Sequence, residues 1–102
     1  MGTLFYGDAR RAIEIEDRAL AHLKLVIINK LRRSEPFAFS WVTSPELGAG
    51  RHTVWVHPAI ALEFRFEDST PPALNRDWIE ALSVEASSAA GLTLLAEPVA
   101  TH

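Results

Sequence analysis

Apolar and polar residues alternate along several stretches of the chain, which is the pattern of half-buried β-strands. The clearest stretch covers residues 60–67, where three large apolar side chains alternate with three charged ones: Leu62, Phe64, Phe66 and Glu63, Arg65, Glu67. We expect this strand near the centre of a sheet. Five further strands are predicted at residues 3–6, 12–16, 37–42, 52–57 and 92–95.

A first helix is predicted over residues 18–34. Asp17 offers a capping oxygen before the helix, and Pro36 ends it because a proline disfavours helical geometry in the residue before it. The apolar arc of this helix is wider than one sheet face requires, since Leu25 and Ile28 extend it. The arc indicates either a central helix covered on most sides or a helix with part of its surface in an interface.

A second helix is predicted from the cap residue Asn75 to about residue 90, with Gly91 just beyond its end. The order of elements is therefore ββαβββαβ. Short links between the strands favour antiparallel pairing, and two helices are too few for a parallel sheet with a helix in every connection. We expect an α+β two-layer sandwich, with a mainly antiparallel sheet of about six strands and both helices on one face.

Length and composition predict one domain. The chain has 102 residues, no cysteine and a net charge of −3, and we expect residues 1–96 to form the domain and residues 97–102 a flexible tail. No stretch approaches the roughly 18 apolar residues of a membrane helix. The first residues lack the pattern of a secretory signal, which together with the absence of cysteine favours the cytoplasm.

Motifs for catalysis, cofactors and metals are not found in the sequence. The glycines near residues 48–50 precede a predicted strand, whereas a phosphate-binding loop precedes a helix. His52 and His57 are five residues apart on one strand, which places them on opposite faces. Glu14 and Glu16 share a face that a solvated strand explains. The sequence therefore predicts no catalytic residue, no cofactor and no metal ligand.

Five segments resemble a family of small actinobacterial proteins of unknown function. They are MGTLFYG at 1–7, IEDRALAHL at 15–23, KLRR at 30–33, FAFSW at 37–41 and LNRDWIEAL at 74–82. The resemblance covers nearly the whole chain but implies no catalytic residue. Members of this family often carry the label ATP-dependent DNA ligase. Such a ligase needs a Lys-x-Asp-Gly motif for its covalent adenylate, and neither KLVI at 24–27 nor KLRR at 30–33 matches it.

Two hypotheses for function come from what the fold leaves exposed. In the first, the domain binds a protein partner or a second copy of itself through one face of the fourth and fifth strands, where Trp55 lies among charged residues. The residues assigned to this interface are Trp55, Glu63 and Arg65 on the strands and Leu25 and Ile28 on the first helix.

The alternative hypothesis is that the domain associates with nucleic acid through its basic residues. The candidates for phosphate contact are Arg10, Arg11, Lys30, Arg32 and Arg33. The acidic net charge disfavours this alternative, because domains that neutralise phosphates carry a basic excess. Cations at the end of the first helix also complement the helix dipole without any ligand.

Overall fold

The computed structural model describes residues 1–43 and 50–98 of the chain. The predicted order of elements, ββαβββαβ, is confirmed. The strands are β1 (Gly2–Tyr6), β2 (Arg11–Ile15), β3 (Phe37–Thr43), β4 (Gly50–Val56), β5 (Leu62–Arg65) and β6 (Leu92–Thr93), and the helices are α1 (Asp17–Arg32) and α2 (Arg76–Ala86). Residues 44–49, between the strands predicted at 37–42 and 52–57, and residues 99–102, in the predicted tail, lie outside the described residues.

The six strands form two three-stranded sheets rather than one sheet of six. The first sheet has the order β2-β1-β5 and the second has the order β4-β3-β6. All pairs are antiparallel except β3 with β6, which is parallel. A tight turn lies at the point of division, where the N–H of Ile60 donates to the carbonyl of His57 across Pro58 and Ala59. The chain leaves the second sheet at this turn and returns to the first.

The prediction that the strand in residues 60–67, β5, lies near the centre of a sheet is wrong. This strand lies at the edge of the first sheet, and β1 occupies the centre, with β2 on its other side. The alternation along β5 is confirmed, since Leu62 and Phe64 are half-buried while Glu63 and Arg65 are exposed. The pattern shows which face of a strand is buried but not how many neighbours the strand has.

Both helices begin close to their predicted starts, but only one of the two predicted caps is present. The side chain of Asn75 accepts hydrogen bonds from the backbone N–H groups of Asp77 and Trp78, as a capping residue does. Asp17 is instead the first residue of α1, and its carboxylate accepts the backbone N–H groups of Glu67 and Asp68. Asp17 therefore ties the helix to the segment that follows β5.

The core lies between the helices and the inner faces of both sheets. Helix α1 packs on β1 and on α2, while α2 packs on β3 and β6. Leu4 from β1, Leu23 from α1, Phe39 from β3 and Leu82 from α2 are buried in one cluster. Over residues 1–43 and 50–98, no helix is both long and apolar enough to cross a membrane.

Candidate functional site

The second sheet has one face that the helices do not cover. Phe37, Phe39 and Val56 point into the core from this sheet, so alternate residues point the other way. We call this side the outer β3–β4 face, and it consists of Ala38, Ser40 and Val42 on β3 and Arg51, Thr53 and Trp55 on β4. Val42 is 71% exposed and Trp55 is 56% exposed. Two large apolar side chains on adjacent strands are therefore in solvent.

The register of β3 and β4 gives this face a regular layout. Trp55 lies opposite Ala38 at one end, and Val42 lies opposite Arg51 at the other. Between them the hydroxyls of Ser40 and Thr53 are 2.8 Å apart and share a hydrogen bond. The large indole therefore stands beside the small side chain of Ala38, and the middle of the face is held by its own polar contact.

The six side chains of the outer β3–β4 face include one cation, Arg51, and no carboxylate. Arg51 has no ion-pair partner among the residues that the structure describes. A hollow of about 750 Å³ borders the face, and its lining includes Arg51, Glu14 and Glu16. Neither glutamate forms an ion pair within residues 1–43 and 50–98. One chain thus offers both signs of charge beside the same surface.

Two of the strand residues predicted for the interface lie elsewhere. Glu63 and Arg65 are on β5, in the first sheet, and so do not share a sheet face with Trp55. The guanidinium groups of Arg10 and Arg65 lie 4.4 and 5.1 Å from the centre of the Phe5 ring, and Arg10 Nη1 lies 2.8 Å from Glu63 Oε1. These side chains cover the outer face of the first sheet with contacts among themselves.

The two helix residues predicted for the interface are also separate from Trp55. Ile28 is 36% exposed on α1, whereas Leu25 is half-buried and lines a cleft beside α1. Val26, between them, is buried in the core. The wide apolar arc of this helix is thus mostly covered. The five predicted interface residues occupy three places on the molecule.

The basic residues predicted for nucleic-acid contact are largely paired within the domain. Arg10 pairs with Glu63, and Lys30 and Arg33 both lie within ion-pair distance of Glu35, at 3.2 and 3.5 Å. Arg11 Nη2 lies 3.0 Å from Nδ1 of His52, and its guanidinium stacks on Trp41. Neither Arg11 nor Arg32 forms an ion pair with a carboxylate among the described residues.

A cleft of about 450 Å³ lies between α1 and the segment that connects β5 to α2. Its lining is mostly apolar and includes Leu25, Phe66, Pro71, Pro72 and Leu74, together with four charged side chains. Asp17 holds one end of the connecting segment, and Arg18 holds the other through a 2.8 Å bond to the carbonyl of Ala73. The walls of the cleft are therefore fixed on α1.

A polar network that the sequence pattern did not indicate joins α1, α2 and Glu97. Arg18 donates from Nε and Nη2 to the carboxylate of Glu97 at 2.8 and 2.6 Å, and Asn75 Nδ2 donates to the same carboxylate at 3.0 Å. The bond from Arg18, followed by that from Asn75, lowers the pKa of Glu97 to about 2. Glu97, which the sequence placed in a flexible tail, is thus an ion-pair partner of α1. Its partners lie over 20 residues away in the sequence, so no local motif marks them.

The pH dependence of stability follows from this network. Glu97 has an ordinary pKa of 4.5 and a folded value of about 2, so it stabilises the fold above pH 4.5, and this contribution is lost as the pH falls toward 2. We expect Glu97→Gln to lower the melting temperature near neutral pH. The difference from wild type should shrink between about pH 4.5 and pH 2. Melting curves of both proteins across this range check it, and a difference that stays constant with pH would contradict it.

The buried histidine of the domain is fully used in structural contacts. His22 is 0% exposed. Its Nδ1 lies 2.7 Å from the carbonyl oxygen of Arg18, and its Nε2 accepts the backbone N–H of Asn75 at 2.8 Å. Nδ1 therefore carries the proton. In the part of the chain that the structure describes, no three His, Asp or Glu side chains are placed to hold a metal ion.

A family model described as a domain of unknown function, DUF7882, matches residues 1–97. The chain belongs to this family. The match confirms the resemblance to a family of unknown function. No curated protein and no solved structure matches the chain. The function of this DUF7882 domain therefore has to be argued from its own surfaces.

Proposed function

We propose that this DUF7882 domain is a binding module that self-associates through its outer β3–β4 face. The observation that supports the proposal is the exposure of Trp55 and Val42, at 56% and 71%, on adjacent strands of a sheet whose other side is core. Exposed aromatic side chains are enriched in protein interfaces and carry much of their binding free energy. The charged residues at the edge of the face would form the rim.

A second copy of the chain fits this face in size. When two copies pack face to face about a two-fold axis parallel to the strands, Trp55 of one copy comes over the position of Ala38 in the other. The large side chain then meets a small one, and both copies make the same contact. Ser40 and Thr53 already bond to each other, so their burial leaves no hydroxyl without a partner.

A second copy also fits in charge. Arg51 at the face and the glutamates at positions 14 and 16 border one hollow. In a symmetric dimer the cation of each copy can reach the carboxylates of the other, which gives two equivalent ion pairs. The face holds six side chains, well below the roughly 20–30 residues per side of a standard interface, so we expect a weak dimer with a Kd on the order of 0.1 mM.

The same structure gives less support to the nucleic-acid alternative. Arg10 pairs with Glu63, and Lys30 and Arg33 share the carboxylate of Glu35. Phosphate contact would have to displace these carboxylates. The exposed apolar residues Val42 and Trp55 of the outer β3–β4 face meet no such competition, which favours a protein interface over nucleic-acid contact.

Replacement of Trp55 by alanine should weaken dimerisation without unfolding the monomer. Trp55→Ala is expected to raise the dimer Kd at least about tenfold, because a large aromatic side chain carries much of the energy of an interface. The monomer should lose under about 1 kcal/mol of unfolding free energy, since the side chain is largely in solvent. Sedimentation equilibrium over a concentration series, with thermal melting of each protein, measures both effects.

Val84→Ala is the matched control for this test. Val84 is 69% exposed on α2, away from the outer β3–β4 face, and its truncation should leave the dimer Kd unchanged. A Trp55→Ala protein that melts far below wild type would show that the indole is structural. Equal Kd values for wild type and Trp55→Ala would exclude this face as the interface.

Charge reversal tests whether the occupant is a second copy. Arg51→Glu alone and Glu14→Lys/Glu16→Lys alone should each self-associate less than wild type, because each places like charges together. Mixed in equal amounts, the two variants should form a heterodimer with two ion pairs, one in the wild-type sense and one with its charges reversed. Failure of the mixture to recover association would contradict the proposed pairing.

A further inference from the structure

The cleft beside α1 is distinct from the outer β3–β4 face, and its lining suggests a ligand. It is formed by α1 and by the segment after β5, whereas the proposed dimer face belongs to the second sheet. Its volume of about 450 Å³ falls in the usual range for small-molecule sites, and such sites combine apolar walls with a few polar groups. The apolar walls here come from Leu25, Phe66, Leu74 and two prolines.

Lys24 is the group in this cleft whose charge is not balanced. Its ammonium lies over the Phe66 ring, with Nζ 5.6 Å from the ring centre, and it forms no ion pair among the described residues. The other cation at the cleft, Arg18, is paired with Glu97 at 2.6 Å. Of the two cationic side chains that line the cleft, only that of Lys24 is thus open to a ligand anion.

The carboxylates that line the cleft are already engaged by backbone donors. Asp17 accepts the N–H groups of Asp68 and Glu67, and these bonds hold the pKa of its carboxyl below the usual range. Asp68 accepts the N–H of Thr70 at 2.9 Å. These carboxylates shape the connecting segment. A cationic ligand would therefore compete with the hydrogen bonds that form the wall, while an anionic ligand would meet an ammonium with no carboxylate partner.

We propose that this cleft binds a small apolar molecule that carries one carboxylate. The apolar body lies against Leu25, Phe66 and Leu74, and the carboxylate pairs with the ammonium of Lys24. Burial of the apolar body supplies most of the binding free energy. The ion pair selects the sign of the ligand charge.

Three probes with the same apolar body and different charge test this proposal on the intact chain. They are 2-naphthoate, 2-naphthalenemethanol and the 2-naphthylmethylammonium ion. Amide shifts followed by heteronuclear NMR during titration report both the site and the Kd. We expect naphthoate to shift the amides of Ala21, Leu25 and Phe66 and to bind roughly fivefold tighter than the alcohol. The ammonium probe should bind more weakly than the alcohol.

A variant pair assigns the charge effect to one side chain. Lys24→Gln should remove the preference for naphthoate over the alcohol while leaving binding of the alcohol unchanged. Arg32→Gln is the control, since Arg32 is an exposed α1 cation that does not line the cleft, and it should leave all three Kd values as in wild type.

Several outcomes would overturn the proposal. They are the absence of shifts at millimolar naphthoate, shifts confined to other parts of the chain, equal or tighter binding of the ammonium probe, and a preference that persists in Lys24→Gln. The comparison of probes on wild type needs no variant, so it stands even if Lys24→Gln does not fold. None of these outcomes bears on self-association, which is measured without ligand.

Discussion

Gly91→Ala is expected to lower the free energy of unfolding by roughly 2–5 kcal/mol. Gly91 has a φ of +84°, in the left-handed region that costs an L-residue energy. A Cβ at this position would lie 2.6 Å from the carbonyl oxygen of Ala38. That oxygen belongs to the backbone of β3 and cannot move aside without disturbing the pairing of β3 with β6.

Gly7→Ala separates the two causes of the loss in Gly91→Ala, which are the left-handed backbone and the close approach of Cβ to Ala38. Gly7 also has a positive φ, of +77°, but a Cβ there would meet nothing within 4 Å. Gly7→Ala should therefore lower the free energy of unfolding by about 1 kcal/mol, the cost of placing an L-residue in the left-handed region. Chemical denaturation of wild type and both variants gives the comparison. If the two substitutions cost the same, the close approach of Gly91 to Ala38 is not a constraint on the fold.

His22→Leu is expected to destabilise the domain by roughly 2–4 kcal/mol. Leucine fills much of the same space but has no acceptor for the backbone N–H of Asn75, which the imidazole now binds. That N–H would be left buried without a partner. The substitution also removes the ring contact with Trp78, whose centroid lies 4.5 Å from that of His22.

Two further variants assign the loss to the buried acceptor. His57→Leu changes an exposed histidine whose Nδ1 accepts the backbone N–H of Ala59, and because water can replace this exposed acceptor the substitution should cost under about 1 kcal/mol. His22→Gln retains a side-chain oxygen that can accept the Asn75 N–H, so it should recover part of the loss. Denaturant unfolding of wild type and of the three variants measures these changes in unfolding free energy. A His22→Gln protein no more stable than His22→Leu would show that the hydrogen bond contributes little.

Local patterns predicted the elements of this fold and the mainly antiparallel pairing of its strands well, but not the division into two sheets. Alternation in residues 60–67 identified β5 and its buried face, and Asn75 identified the start of α2. The same alternation did not show that β5 pairs with β1, nearly 60 residues earlier in the chain. Strand pairing depends on the turn at Pro58 and on contacts distant in sequence, which no single window contains.

The candidate sites, like the strand pairing, could be predicted only where their residues are close in sequence. Trp55 was recognisable as an exposed aromatic because it alternates with Val54 and Val56, and the structure places it on the outer β3–β4 face. The cleft was not recognisable, because Lys24 and Phe66 are 42 positions apart and approach only when β5 joins β1. Glu63 and Arg65 were assigned to the face of Trp55 on the assumption of one sheet. The division into two sheets separates them.

A dilution series followed by heteronuclear NMR shows whether the domain self-associates through the outer β3–β4 face. Amide spectra of the wild-type DUF7882 domain are recorded from about 1 mM down to about 20 µM, a range that spans the expected Kd. Self-association through the outer β3–β4 face predicts shift changes at residues 38–42 and 51–55 that fit one dimerisation constant. Spectra that do not change with concentration, or changes confined to α1 and α2, would contradict the account.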